Sequence, residues 1–171
     1  MGHRAEVVTT GSVVSADGTR IGYRRLGRGP SVILLHGGVN ASQHMLKLGR
    51  ALADAYTVYL PDRRGRGMSG AFGAAYGIQR EDEDLAALVE HTAAECIFGP
   101  ANGGLFALHG AIGLGRVRRV AAYEPLLLWG GRDDAAIRRT FTTMQQMIRD
   151  GRPGEAIVFS IHESVDREVR R

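Results

Sequence analysis

The chain has 171 residues, of which 44 % are apolar and 23 % are charged, as in an ordinary soluble globular protein. This length suits one domain, and no apolar run approaches the roughly 20 residues of a membrane span. The net charge of +4 comes from scattered arginines without interleaved aromatic residues, which argues against nucleic-acid binding. We therefore interpret the charge as solvated surface.

The single cysteine, Cys96, excludes an internal disulfide and a thiolate metal cluster. It lies in a short apolar run, so a buried strand thiol is predicted. Residues Met1–Thr10 contain no apolar stretch long enough for a signal peptide, and we expect a soluble cytoplasmic protein. Neither a cofactor nor a metal site is predicted.

Apolar and β-rich runs alternate with helical patterns along the chain. The first two runs flank Asp17-Gly18, which is a strong signal for a hairpin turn. Later continuous apolar runs are typical of strands buried on both faces of a parallel sheet, and the segments between them have apolar residues at helical spacing. The predicted strands are 7–14, 19–25, 31–35, 57–60, 95–98 and 117–123. The predicted helices are 42–55, 80–94, 103–114, 133–149 and 155–171.

This alternation indicates an α/β fold with a mostly parallel sheet of about six strands flanked by helices. The opening hairpin is expected to add antiparallel strands at one edge. Beyond Pro125 the pattern changes, and amphipathic helices take over. We therefore expect a core over residues 1–128 and a helical segment over residues 129–171.

One segment, Cys96–Leu105, has the spacing of a nucleophile elbow, Gly-x-Ser-x-Gly. In that motif a strained turn between a strand and a helix presents the serine. Gly99 and Gly103 are in register, but Ala101 stands at the serine position. A methyl group has neither a lone pair nor an ionisable proton, so covalent catalysis from Ala101 is excluded. Pro100 removes a backbone donor as well, which favours natural divergence over engineered inactivation.

Four motifs, in this order, resemble those of the α/β-hydrolase superfamily, specifically its small bacterial esterase- and lactonase-like members. They are Leu34–Gly38 after the third strand, Asp62–Ser69 after the fourth, the altered elbow Gly99–Gly104 after the fifth, and Arg116–Pro125 over the sixth. The resemblance covers about residues 6–128. It implies an α/β-hydrolase fold that lacks its last strands, with residues 129–171 as the start of a helical cap.

The resemblance also implies an oxyanion hole, in which backbone N–H groups stabilise the negative oxygen of an acyl-transfer intermediate. The implied donors are Asn102 and either Gly38 or Val39, in the loop that begins at Gly37. A tight strand-to-helix turn is the alternative interpretation of these glycines. Glu124 matches the position at which some branches of the family carry the triad acid, and a polar turn residue is the alternative.

The sequence also lacks a clear candidate for the general base that would activate a nucleophile. His109 and His162 follow the elbow, but both are predicted to be helix residues rather than a general base. Neither Ser42 nor Ser69 has a histidine at suitable spacing, so rescue by a displaced serine is not expected. The dipeptide Asp62-Arg63 is predicted to brace the loop beside the pocket.

The sequence thus predicts a hydrolase-family protein for small esters or lactones that has lost its activity, which makes it a pseudoenzyme. The alternatives are a non-catalytic module that holds a small carbonyl ligand in the hydrolase pocket, and a truncated gene product without its own role. If the sheet stops at the sixth strand, that edge is exposed. We then expect a homodimer through this edge, cover by residues 133–171, or a fragment.

Overall fold

The computed structural model describes residues 7–127 and 134–169. These residues form two compact units, one within residues 1–127 and one within residues 128–171. The strands, all in the first unit, are β1 (Thr9–Val14), β2 (Arg20–Gly27), β3 (Ser31–Leu34), β4 (Thr57–Pro61), β5 (Cys96–Pro100) and β6 (Arg119–Tyr123). The helices of that unit are α1 (Leu46–Leu52), α2 (Ile78–Thr92) and α3 (Asn102–Ala111). The second unit contains α4 (Asp134–Arg149) and α5 (Pro153–Val169).

The six strands form one sheet in the order β1-β2-β4-β3-β5-β6. The strands from β3 to β6 pair in parallel, whereas β2 pairs antiparallel with both β1 and β4. The hairpin between β1 and β2 turns at Asp17-Gly18, where Gly18 has a φ of 82°. The predicted α/β class, the mostly parallel sheet and the hairpin at its edge are therefore confirmed.

Buried side chains lie on both faces of the sheet. Consecutive residues of β3 alternate between the faces, with Ile33 packed in the cluster under α2 and α3, and Leu34 in the cluster beside α1. Both side chains are fully buried. Each contributes about 1.5–3 kcal/mol from its burial. The continuous apolar run of β3 reflects this two-sided burial.

The bounds of all five helices differ from those predicted, and two of them differ most. The helix predicted over 42–55 is a 3₁₀ turn at Ser42–Met45 followed by α1. The helix α3 ends at Ala111, three residues before the predicted end. Gly113 and Gly115 lie two and four residues beyond this end, and glycine disfavours helix because it loses more backbone entropy on folding.

In the second unit, α4 and α5 pack against each other as a helical hairpin. Gly151 has a φ of 76°, so it ends α4 with the left-handed residue that glycine adopts without strain. Pro153 begins α5, where its missing N–H has no helical partner to lose. None of the described helices is long and apolar enough to cross a membrane.

Candidate functional site

The turn between β5 and α3 holds Ala101 in a strained conformation, with φ 48° and ψ −121°. Its N–H donates to the carbonyl oxygen of Tyr123 at 3.0 Å, and its own carbonyl oxygen accepts the N–H of Leu105 at 3.1 Å. A residue other than glycine at such angles costs about 1–3 kcal/mol and persists only where its surroundings impose it. The alanine therefore occupies a sharp, externally held strand-to-helix turn, and it is exposed at that point.

The glycines on either side of Ala101 are required by close backbone approach. A Cβ on Gly99 would lie 2.3 Å from the carbonyl group of Gly103, and a Cβ on Gly103 would lie 2.4 Å from the carbonyl oxygen of Leu35. Both contacts are with backbone atoms, which cannot move aside as a flexible side chain can. The Gly-x-Ala-x-Gly spacing thus meets the steric requirements of this turn.

The glycine loop after β3 lies directly beside this turn. A Cβ on Gly37 would lie 3.8 Å from the Cβ of Ala101, and a Cβ on Gly38 would lie 3.0 Å from Oδ1 of Asn102. Among the described residues, no acceptor receives a hydrogen bond from the backbone N–H of Gly38 or of Val39. Asn102 is the first residue of α3, where N–H groups lack partners inside the helix. Gly37 and Gly38 therefore lie beside Ala101 and Asn102.

His36 orients the start of this loop from beneath. Its Nε2 accepts the backbone N–H of Arg63 at 3.0 Å, so the ring proton is on Nδ1, which donates to the carbonyl oxygen of Gly37 at 2.8 Å. Burial lowers the pKa of His36 to about 4, and the ring is fully buried and neutral at pH 7. His36 therefore ties the loop after β3 to the loop after β4.

Asp62 braces the turn after β4, as the sequence predicts. Its carboxylate accepts the backbone N–H groups of Ser42 at 2.6 Å and Met68 at 3.0 Å. Burial alone would raise the pKa of Asp62, but these hydrogen bonds and the nearby guanidinium of Arg24 lower it overall. The hydroxyl of Ser69 donates to the carbonyl oxygen of Asp62 and accepts the N–H of Gly22, so it belongs to the same brace.

The interpretation of the arginines as solvated surface is wrong for Arg63 and Arg64, which are 4 % and 1 % exposed. Arg63 donates Nε and Nη2 to the carboxylate of Glu81 at 2.9 and 2.7 Å. Arg64 donates to both oxygens of Asp84 at 2.8 and 2.7 Å. The two carboxylates are three residues apart on α2, so they lie on the same helix face. The spacing of these two acidic residues is the one sequence feature that could have indicated buried ion pairs with the two arginines.

Glu124 follows β6 immediately and has a φ of 45°. Its neighbour Tyr123 pairs with Pro100 across the sheet, which places Glu124 at the same end of the sheet as Ala101. The side chain of Glu124 is exposed. A second non-glycine residue at positive φ beside the first marks this end of the sheet as a strained region.

Histidines of the described residues have roles elsewhere. His36, His44 and His91 hydrogen-bond to Gly37, Ala41 and Tyr23 respectively. His109 pairs with Asp82 on the surface, and His162 lies exposed on α5 of the second unit. None of these contacts joins an imidazole to position 101. Among the described residues, no group of three or more His, Cys, Asp or Glu side chains could hold a metal ion.

No protein-family model and no curated protein matches the sequence. Among solved structures, the chain is similar to an α/β hydrolase from Sphaerobacter thermophilus, with a TM-score of 0.80 and 32 % identity over 90 % of this chain. It is also similar to epoxide hydrolase A from Mycobacterium thermoresistibile, with a TM-score of 0.67 and 31 % identity over 78 % of this chain. A third is the bottromycin epimerase BotH in complex with bottromycin A2, with a TM-score of 0.65 and 28 % identity over 79 % of this chain.

The chain spans 60 %, 44 % and 56 % of the length of these three proteins. The order of the strands in the sheet, the order of the predicted motifs along the chain and these similarities all indicate the same superfamily. The chain belongs to the α/β-hydrolase superfamily.

Proposed function

We propose that this chain is a hydrolase-family protein that has lost covalent catalysis and retains a site for a small carbonyl or carboxylate ligand. The observation that carries the proposal is Ala101, held at φ 48° in the turn where the superfamily presents its nucleophile. Its methyl group cannot attack an acyl carbon. The strained turn is retained although no reactive atom uses it.

Nearby hydroxyl groups do not replace the missing nucleophile. The hydroxyl of Ser69 is engaged in the brace around Asp62, and the hydroxyl of Ser42 accepts a hydrogen bond from Nη1 of Arg24. The imidazoles within residues 7–127 are likewise engaged, as described above. A covalent step at position 101 would need both a nucleophile and a base, and restoring one alone would leave the other missing.

Binding is favoured by a separate observation, the unpartnered N–H groups of Gly38 and Val39 beside the N-terminus of α3. Together with Asn102 they would donate hydrogen bonds to one ligand oxygen, in the manner of an oxyanion hole. Gly37 allows the loop to approach Ala101 closely. In this proposal Glu124 stands where the acid of a triad would stand, without a histidine to orient.

The ligand class that fits these donors is a small ester, a lactone or the acid that hydrolysis would produce. Some of the similar structures are epoxide hydrolases, so a small epoxide is the second class to test. We further propose that residues 129–171 represent the start of a cap and that the chain forms a homodimer through β6. That strand ends the sheet, and Tyr123 is 62 % exposed there.

The decisive experiment is hydrolysis of 4-nitrophenyl acetate by the purified chain, beside Ala101→Ser and a heat-denatured control. We expect no turnover above the denatured control for the unmodified chain or for Ala101→Ser, because position 101 lacks a base. Saturable turnover by the unmodified chain would refute the loss of catalysis. Brisk turnover by Ala101→Ser alone would show that a base is present.

Ligand binding is measured separately by thermal unfolding with γ-butyrolactone, acetate or styrene oxide. A ligand that binds only the folded state raises the Tm in proportion to the logarithm of its concentration over Kd. The absence of any such rise with all three compounds would refute binding. Light scattering after size exclusion tests the dimer, and a well-behaved monomer would refute it.

A further inference from the structure

Arg66 contacts the glycine loop through an arrangement that the sequence did not reveal. Its Nη2 and Nε donate to the carbonyl oxygen of Gly38 at 2.8 and 3.2 Å. Its Nη1 donates to the carbonyl oxygen of Arg64 at 3.2 Å, and the guanidinium lies 5.3 Å from the ring centre of Phe72. Arg66 therefore links the turn after β4 to the loop after β3 from a fixed position.

This contact determines the direction of a peptide group. In a trans peptide the C=O and the N–H point in opposite directions. Since Arg66 holds the carbonyl oxygen of Gly38, the N–H of Val39 in the same peptide is turned away from Arg66. Among the described residues, no other group donates to that carbonyl oxygen. The preceding peptide is held independently, because its carbonyl oxygen, on Gly37, accepts a hydrogen bond from His36.

The charge of Arg66 is the second part of the argument. No carboxylate of the described residues lies within ion-pairing distance of it, unlike Arg63 and Arg64. Burial and the neighbouring Arg63 lower the pKa of Arg66, but a guanidinium in a protein stays protonated. A charged donor makes a stronger hydrogen bond than a neutral one, so the carbonyl of Gly38 is firmly held.

We propose that Arg66 is a positioning residue, which holds the carbonyl of Gly38 so that the donors of the glycine loop face the space over Ala101. The inference rests on the proposed function, because it assigns a task to Arg66 only if those donors bind a ligand oxygen. Its action passes through the peptide group and requires no contact between the guanidinium and the ligand.

The test uses a thiol at position 101 as a reporter of the donors around it. In the 171-residue chain with Cys96→Ser and Ala101→Cys, a single thiol remains, and the ultraviolet absorbance of its thiolate gives its pKa. A thiol ionises without a histidine, so the missing base does not matter. A free cysteine has a pKa of about 8.5, and cysteines at helix N-termini reach about 3.5–7.5.

We expect the reporter thiol to have a pKa below about 7.5 while Arg66 is present. Arg66→Ala in the reporter chain is expected to raise the pKa of the thiol by about one unit. This is the change expected when the thiolate loses one hydrogen bond from an N–H of the glycine loop. Arg66→Lys keeps one donor and should restore most of that change. The matched control is Arg20→Ala, since Arg20 also donates to a carbonyl oxygen of this turn, that of Met68 at 2.6 Å, and does not contact the glycine loop.

A measurement at high salt separates positioning from a direct effect of charge. At about 1 M KCl the screening length is about 3 Å, so a through-space effect of the guanidinium would largely vanish. The rise caused by Arg66→Ala should persist there if Arg66 acts through the peptide. A rise that disappears in salt, or that Arg20→Ala reproduces, would overturn the inference.

The remaining outcomes separate the inference from the proposed function. A reporter pKa near 8.5 with Arg66 intact would mean that no donors converge on position 101, which would refute the proposed site and the inference with it. A low reporter pKa that Arg66→Ala leaves unchanged would refute the role of Arg66 alone. If circular dichroism shows that Arg66→Ala is unfolded, Arg66→Met decides, since it keeps an unbranched side chain and has no donor: a rise supports the inference and no rise overturns it.

Discussion

The N–H of Ala101 donates to the carbonyl oxygen of Tyr123 at 3.0 Å, which joins the turn after β5 to the end of β6. The carbonyl oxygen of Ala101 in turn accepts the N–H of Leu126 at 3.3 Å. Of the two residues between these contacts on the β6 side, Glu124 is also at positive φ. The two strained residues follow neighbouring strands, and the hydrogen bonds on either side of Glu124 join its turn to the turn at Ala101.

The first prediction concerns the strain at Ala101. Glycine adopts positive φ without steric cost, although it loses more entropy on folding than alanine. We expect Ala101→Gly to leave the free energy of unfolding unchanged or to raise it by up to about 1 kcal/mol. Ala86→Gly, within α2, is the control and should lower it by about 1 kcal/mol. Urea unfolding measures both, and equal losses for the two variants would show that the turn at Ala101 is not strained.

The second prediction concerns the close approach of α3 to β3. A methyl group on Gly103 would lie 2.4 Å from the backbone carbonyl oxygen of Leu35, so the helix must shift to accept it. We expect Gly103→Ala to lower the free energy of unfolding by about 1–3 kcal/mol or to prevent folding. Gly113→Ala is the control, because a Cβ there meets nothing within 4 Å. A Gly103→Ala protein as stable as Gly113→Ala would contradict the packing.

The third prediction concerns Asp84, which lies on α2 and pairs with the buried Arg64. Burial raises the pKa of Asp84, and the hydrogen bonds from Arg64 oppose this shift. Asp84→Ala would leave the buried guanidinium of Arg64 with Asp17 as its remaining carboxylate partner, at 2.9 Å, and that carboxylate is 23 % exposed. The substitution should therefore cost up to about 3 kcal/mol of unfolding free energy. The control is Glu83→Ala on the same helix, whose partly exposed pair with Arg80 should contribute less than about 1 kcal/mol. Similar losses for the two variants in urea would argue against burial of the Asp84 pair.

The class of fold was predictable because its signals are local. The hairpin turn at Asp17-Gly18 and the continuous apolar run of β3 depend only on neighbouring residues. The burial of Arg63 and Arg64 was not predictable in the same way. It depends on carboxylates about 20 residues further along the chain. When those partners are not identified, a run of arginines is interpreted as solvated surface. The contact between Arg66 and Gly38 was not predictable either, because every residue has a backbone carbonyl and the sequence does not show which one an arginine will contact.

The fourth prediction is a pH dependence that originates at His36. The folded protein holds this side chain neutral with a pKa of about 4, whereas an unfolded chain binds the proton with a pKa near 6.5. Between pH 6.5 and pH 4 the unfolded state thus binds more protons, so stability falls as the pH is lowered through this window. The full loss from this group is about 3 kcal/mol.

Urea unfolding from pH 7.5 to pH 4 tests this dependence against His36→Gln, which cannot titrate. We expect the variant to be less stable at pH 7.5, because it loses the hydrogen bonds to Gly37 and Arg63, and to show a flatter pH profile. His162→Gln, at an exposed position on α5, should keep the profile of the unmodified chain. Parallel profiles for the unmodified chain and His36→Gln would mean that the imidazole is not buried in its neutral form.

The last prediction concerns a cavity of about 10 Å³ under the sheet, lined by Arg63, Asp84 and Phe106 among others. The Nη1 of Arg63 is buried and has no hydrogen-bond partner among the described residues, and its guanidinium lies 4.3 Å from the ring centre of Phe106. A buried charged donor without a partner is costly, and a cavity of this size holds about one water molecule. A crystal structure should therefore show an ordered water within hydrogen-bonding distance of Nη1. A dry cavity at high resolution would instead mean that Arg63 carries an unsatisfied donor, and replacing it by Met together with Glu81→Leu should then stabilise the fold.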